Sequence, residues 1–188
     1  MNPLRFRSAR ADDAEQIALL HADSWRRHYR GAYADSYLDG DVGDDLRARW
    51  STRLAASTDT DTDTILAERD GQLVGFVHVA FDDDPKWGSL VDNLHVLHSQ
   101  HRTGIGTQLL ARAAQAVLDR ATGNAMYLWV LQQNTAAQQF YHVYGATYVE
   151  SAPVPPPGGD PARLNGTPHG LRMAWPDATR LSQSVDNQ

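Results

Sequence analysis

Three histidines spaced three residues apart, His95, His98 and His101, run into a Gly-x-Gly pair, Gly104 and Gly106, within the stretch LHVLHSQHRTGIGTQLLARAA. Each feature suggests its own chemistry. Imidazoles in a run could ligate a transition metal, whereas glycines that open a helix leave backbone N–H groups free to hold phosphate oxygens. A spacing of three gathers side chains on one face only in a helix. His95 falls in an apolar, strand-like run and His101 in the turn after it, so the three rings are expected to diverge, and no metal site is expected. Gly104 and Gly106 stand between a strand pattern and a helix pattern, where unpaired N–H groups and the positive end of the helix dipole favour an anion. The third glycine of a dinucleotide fingerprint is missing, as is the Gly-Lys-Ser/Thr of a P-loop. Asp59, Asp61 and Asp63 mimic the opening of a calcium loop, but Thr64 stands where such a loop turns on Gly.

The elements that must position these residues follow from hydrophobic period. LRFRSA alternates as a strand, and DDAEQIALLHADSWRRHY continues as a helix with acidic residues first. DDLRARWSTRLAAS sets Leu46, Trp50 and Leu54 four apart, a second amphipathic helix. The segment between them, YRGAYADSYLDGDVG, is read as an aromatic-rich loop. TILAE and QLVGFVHVAF are strands joined by a hairpin at Asp70-Gly71, and SLVDNLHVL is a third, so sequential antiparallel pairing is expected. Leu109, Leu110, Ala113, Ala114, Val117 and Leu118 form one helical stripe, MYLWVL is a buried strand, and NTAAQQFYHVYG is a short helix with Asn134 to cap it and Gly145 to close it. TYVE and GLRMAW are the last strands, separated by a Pro/Gly loop, and residues 177–188 are expected to be a flexible tail.

Composition narrows the function classes. The chain has 188 residues, 41% of them hydrophobic, enough for one domain with a substantial core, placed at residues 1–176. It contains no cysteine, so thiolate catalysis, disulfides and cysteine-based metal sites are excluded, and a cytoplasmic setting is expected. The first residues are charged and carry no apolar run, so neither a secretory signal nor a membrane association is expected. A net charge of −6 disfavours nucleic acid and suits a cationic or neutral acceptor.

HRTGIGTQLL followed by LWVLQQNTAAQQFYHVYGATYV resembles the two central motifs of the GNAT superfamily of N-acetyltransferases. Gly104, Gly106, Asn134, Ala137, Phe140, Tyr141 and Gly145 match those motifs residue for residue. The resemblance implies an α/β fold with a mixed, twisted central sheet of about six or seven strands flanked by helices, and acetyl-CoA as cosubstrate without a metal. It further implies that His101, Arg102, Thr103, Gly104, Ile105, Gly106 and Thr107 cradle the pyrophosphate, and that Leu94, His95 and Val96 meet the pantetheine arm through the strand backbone. Asn134, Ala137 and Tyr141 would complete the cofactor site. Two positions depart from the family pattern: His101 replaces the usual Gln or Arg, and Ala146 replaces an aromatic, a space for Tyr144 or Tyr148 to fill.

Expelling a thiolate is easier if a positioned acid donates a proton, and a phenol with a pKa near 10 stays protonated at neutral pH; the resemblance assigns that role to Tyr141. The base is less legible. Strand alternation puts Leu90, Asp92, Leu94 and Val96 on one face and Val91, Asn93, His95 and Leu97 on the other, leaving Asp92 as the ionisable group of its face, with His95 admissible only if a bulge intervenes and His78 a further contender. The resemblance places the acceptor pocket between the first two helices, which here means Trp25, Tyr29, Tyr33 and Tyr37 with Asp35, Asp39, Asp41, Asp44 and Asp45 nearby, and His78 is counted with it; aromatics plus carboxylates suit an organic cation or amine. The expected reaction is direct acetyl transfer to a small-molecule primary amine in a ternary complex. The alternatives are a peptide N-terminus or lysine as acceptor, a longer acyl-CoA, or a catalytically silent acyl-CoA-binding module, and the sequence admits a homodimer.

Overall fold

The computed structural model describes residues 3–56 and 61–183. Seven strands form one sheet: β1 (Arg5–Ser8), β2 (Thr62–Arg69), β3 (Gln72–Asp84), β4 (Gly88–Val96), β5 (Met126–Leu131), β6 (Thr147–Pro153) and β7 (His169–Trp175). Their order is β1-β2-β3-β4-β5-β7-β6, antiparallel except for the parallel contact between β4 and β5. The turn between β2 and β3 has Asp70 and Gly71 both at positive φ, 55° and 74°, the geometry a two-residue hairpin demands.

Helices cover the sheet on both faces. α1 (Ala14–His28) and α3 (Val42–Ala55) pack on one, burying Ile17, Leu46 and Trp50 against Leu66 and Phe76. α4 (Ile105–Arg120) packs on the other, its Ile105, Leu109, Leu110, Ala113 and Val117 against Val77, Val79 and Val91. Successive β3 residues thus feed opposite cores, Phe76 to the α1–α3 side and Val77 to the α4 side, because a strand alternates its side chains. α5 (Thr135–Val143) is capped as expected, with the Ala137 N–H donating to Asn134 Oδ1 at 3.2 Å.

Three expectations need correction. The aromatic segment after α1 contains a short helix, α2 (Asp35–Asp39), which buries Tyr37 and Leu38. The tail does not fray immediately after Pro176: α6 (Thr179–Ser182) docks on α4 with Ala178 and Leu181 buried, since two apolar groups three apart suffice to pin one turn. Residues 184–188, like Asp59 of the calcium-loop mimic, lie outside the described residues. The Pro/Gly loop is also no free excursion. Leu164 bridges to Tyr33, Asn165 Nδ2 donates to the Gly31 carbonyl, and Arg163 pairs with Asp45, so the loop straps the α1–α2 connection.

Candidate active site

β4 and β5 pair only at Ser89 with Met126 and Leu90 with Tyr127, then separate. From Val91 onward β4 is paired to β3 alone, and from Leu128 onward β5 is paired to β7 alone, so the two facing edges are not paired to one another and a gap lies between them. Unpaired strand edges accept an extended ligand as they would another strand. A cavity of about 640 Å³ fills this gap.

The start of the gap coincides with a β-bulge. His78 pairs with Asn93 and Val79 with Val91, so Asp92 is an extra residue opposite no partner. An extra residue reverses the facing of everything beyond it. Val91, Leu94 and Val96 all join the α4 core, while His95 turns to the α1 side, where its Nδ1 lies 2.8 Å from Ser24 Oγ and its ring 4.5 Å from that of His21. The simple alternation that grouped Asp92 with Leu94 and separated it from His95 is therefore wrong. Asp92 is anchored by Arg53 at 3.0 Å and by Asn93 Nδ2 at 2.8 Å. His95 is held down to about 4, first by desolvation and then by repulsion from His28, so its ring is neutral at pH 7.

At one end of the cavity α4 begins. Gly104, its N-cap, has φ +83°, and no side chain caps the helix among the described residues. A Cβ at Gly104 would meet nothing within 4 Å, so the backbone there lies open to a ligand, and the α4 dipole points its positive end at that space. The residues present thus fit a phosphate-bearing cosubstrate. Gly104, Gly106, Thr107, His101 and Arg102 line the cavity; Thr103 does not, and Ile105 is buried in the core at the first turn of the helix. His101 is engaged elsewhere, with Nε2 3.0 Å from the Val96 carbonyl.

At the other wall Asn134, Ala137 and Tyr141 of α5 line the cavity together with Leu94, His95 and Val96 of β4. Tyr141 is 9% exposed, its ring packed edge-on to Phe140 and Trp175. Among the described residues its hydroxyl has no hydrogen-bond partner. Burial raises its pKa above the ordinary 10.0, which keeps the proton on the oxygen. The Tyr144 ring packs at a tilt against Phe140 and its hydroxyl accepts a hydrogen bond from Thr107 Oγ1 at 2.8 Å, whereas Tyr148 is exposed.

On the acceptor side the aromatic expectation divides. Tyr29 lines the cavity, but Trp25 and Tyr33 are each 7% exposed and pack into the α1–α3 core, with Trp25 stacked on Tyr29. His78 is also behind the wall, 2% exposed and 2.7 Å from Thr64 Oγ1, and desolvation lowers it to about 4. Four of the five nearby aspartates are engaged: Asp35 and Asp39 with Arg30, Asp44 with Arg47, and Asp45 with Arg163 and the Tyr37 hydroxyl. Among the lining residues that escaped the sequence reading are Ser24, His28, Gln100 and Trp129. Ser24 was visible in the α1 pattern, but only the bulge brings His95 to it. The His28 ring lies 6.0 Å from that of His101, which in turn lies 5.0 Å from that of His98, so the expected divergence holds for His95 alone.

Residues 22–146 match the model of the acetyltransferase (GNAT) family. The chain is 26% identical over 183 residues to an uncharacterized N-acetyltransferase, YuaI, of Bacillus subtilis (strain 168), covering 93% of this chain and 94% of that one. Its fold is similar to that of the PaiA N-acetyltransferase from Thermoplasma acidophilum, solved in complex with coenzyme A, with a TM-score of 0.72, 18% identity, and coverage of 93% of this chain and 100% of that one. A second similar structure is yncA from Salmonella typhimurium, a putative acetyltransferase with its cofactor acetyl-CoA, at a TM-score of 0.64, 18% identity, and coverage of 93% and 94%.

Proposed function

The chain belongs to the acetyltransferase (GNAT) family, and from that membership and the split sheet we propose that it transfers an acetyl group from acetyl-CoA to the primary amine of a small molecule, directly and within a ternary complex. The observation that carries this reading is the gap between β4 and β5, with the α4 N-terminus at one end and the Tyr141 hydroxyl in its wall, neither engaged by a side chain among the described residues. Acetyl-CoA supplies an activated thioester. The chain's own residues would do the rest. Backbone N–H groups from Gly104 to Thr107 hold phosphate oxygens, assisted by Arg102, and the β4 edge at Leu94 and Val96 takes the pantetheine amides, with the Val96 carbonyl shared with His101. Asn134 and Ala137 border the same channel.

Tyr141 holds the proton that the departing sulfur needs. Asp92 anchors the incoming ammonium and relays its proton to water; its pairing with Arg53 suits anchoring better than full proton capture. His95 shares that side of the bulge and orients through Ser24, with a proton affinity too low to lead. Tyr29, at the cavity wall, offers its ring face to a cation. No helix among the described residues is long and apolar enough to cross a membrane. Incubating the protein with acetyl-CoA and a panel of amines, amino-sugars and short peptides, then identifying the acetylated product by mass, tests the acceptor class. Acetylation of peptides alone would overturn the small-molecule assignment.

A further inference from the structure

His28 ends α1, His98 opens the 3-10 turn after β4, and His101 closes that turn. One ring nitrogen from each lies within 4.8 Å of the others, with His28 half-buried and the other two exposed. The His101 Nε2 faces the Val96 carbonyl at 3.0 Å, and a carbonyl can only accept, so that nitrogen carries the proton and the lone pair of the ring is left on Nδ1. A ring N–H given to a backbone carbonyl is the arrangement that orients a metal-ligating histidine. Zinc–nitrogen bonds of about 2.0–2.1 Å set tetrahedral ligand nitrogens about 3.3 Å apart, a closure that rotation of the two exposed side chains can supply.

We propose that His28, His98 and His101 bind one divalent transition ion of borderline softness, of the Zn²⁺ class, at the rim of the cavity. An all-imidazole set selects this class over Mg²⁺ and Ca²⁺, which require oxygen ligands. Three protein ligands leave a fourth position open to water. The ion ties the end of α1, on the acceptor side, to the turn that runs into Gly104, on the cosubstrate side.

The test uses the tag-free full chain, stripped with chelator and titrated with Zn²⁺ against a chromophoric indicator, beside His98→Gln and, as a control, His142→Gln. His98 does not line the cavity, so its variant should keep basal activity. Saturable one-to-one binding is expected in the wild type and in His142→Gln, weakened at least ~10–100-fold in His98→Gln, since loss of even an outer partner costs that much. Co²⁺ loading of the wild type gives a readout that depends on no variant: three hyperfine-shifted, exchangeable imidazole N–H resonances. Equal affinity in wild type and His98→Gln, no saturable binding, or fewer than three such resonances would overturn the site.

Discussion

Replacing Tyr141 with Phe removes one hydroxyl and leaves the ring among Phe140 and Trp175. Because that hydroxyl has no partner among the described residues, the native state loses no hydrogen bond, and stability should change by less than about 0.5 kcal/mol, or about 2 °C in Tm. Acetyl-CoA affinity should hardly move, since backbone groups carry the binding. On the proposed reading, what disappears is the proton for the leaving sulfur. A positioned acid of this kind contributes roughly a hundredfold, so kcat should fall by ~10²-fold, within about ten- to a thousandfold, equivalent to about 3 kcal/mol in the barrier. Burial also raises the phenol above its ordinary 10.0, so ionisation of Tyr141 should not depress the wild-type rate below that pH. The assay is continuous thiol detection under chemistry-limited conditions, with calorimetry for acetyl-CoA and a thermal melt as controls. An unchanged kcat with an intact fold would refute the acid role; a lost Tm would refute the claim that the hydroxyl is structurally idle.

Gly104→Val should weaken acetyl-CoA binding far more than His101→Ala, because a β-branched side chain at φ +83° costs at least about 1–2 kcal/mol and occupies the open cradle, whereas His101 adds one contact; calorimetry on both variants decides it, and loss of binding in His101→Ala alone would contradict it. Asp92→Asn should lower kcat/KM and move its pH dependence upward, since the amine must then shed its proton in bulk water, while His95→Gln should be milder; a pH–rate profile in which only His95→Gln loses the acidic limb would make His95 the base. His78 and His95 have native values of about 4 against an ordinary 6.5. Their depressed values mean the unfolded chain takes up protons first, so each should remove about 2–3 kcal/mol of stability as pH falls from 6.5 towards 4. Urea midpoints at pH 7, 5.5 and 4.5 read this, and a flat series would show that the two rings are not desolvated as described.

The periodic parts of the fold were readable because a single face must be apolar and the chain must alternate accordingly. MYLWVL became β5 without adjustment, Asp70-Gly71 made its hairpin, and Asn134 capped α5. What escaped was anything set by tertiary pairing. The bulge at Asp92 adds one residue against β3, which no local pattern records, and it alone decides that His95 meets Ser24. Trp25 and Tyr33 carry the same composition in a pocket or in a core, and only the packing of α1 against α3 assigns them to the core. His28 stands seventy residues before His98, so their approach depends on the ends of α1 and β4 meeting at one rim. The α6 turn had a faint signal in the apolar Ala178 and Leu181, obscured by the polar residues around them.

The most direct measurement is the initial-velocity pattern of CoA release when acetyl-CoA and one good amine are varied together. With no cysteine in the chain and, on the proposed reading, both substrates meeting between β4, β5 and α5, direct transfer requires lines that intersect and no CoA release from enzyme and acetyl-CoA alone. Parallel lines with a stoichiometric burst of CoA before amine is added would mean a covalent acetyl-enzyme, and would contradict transfer within a ternary complex.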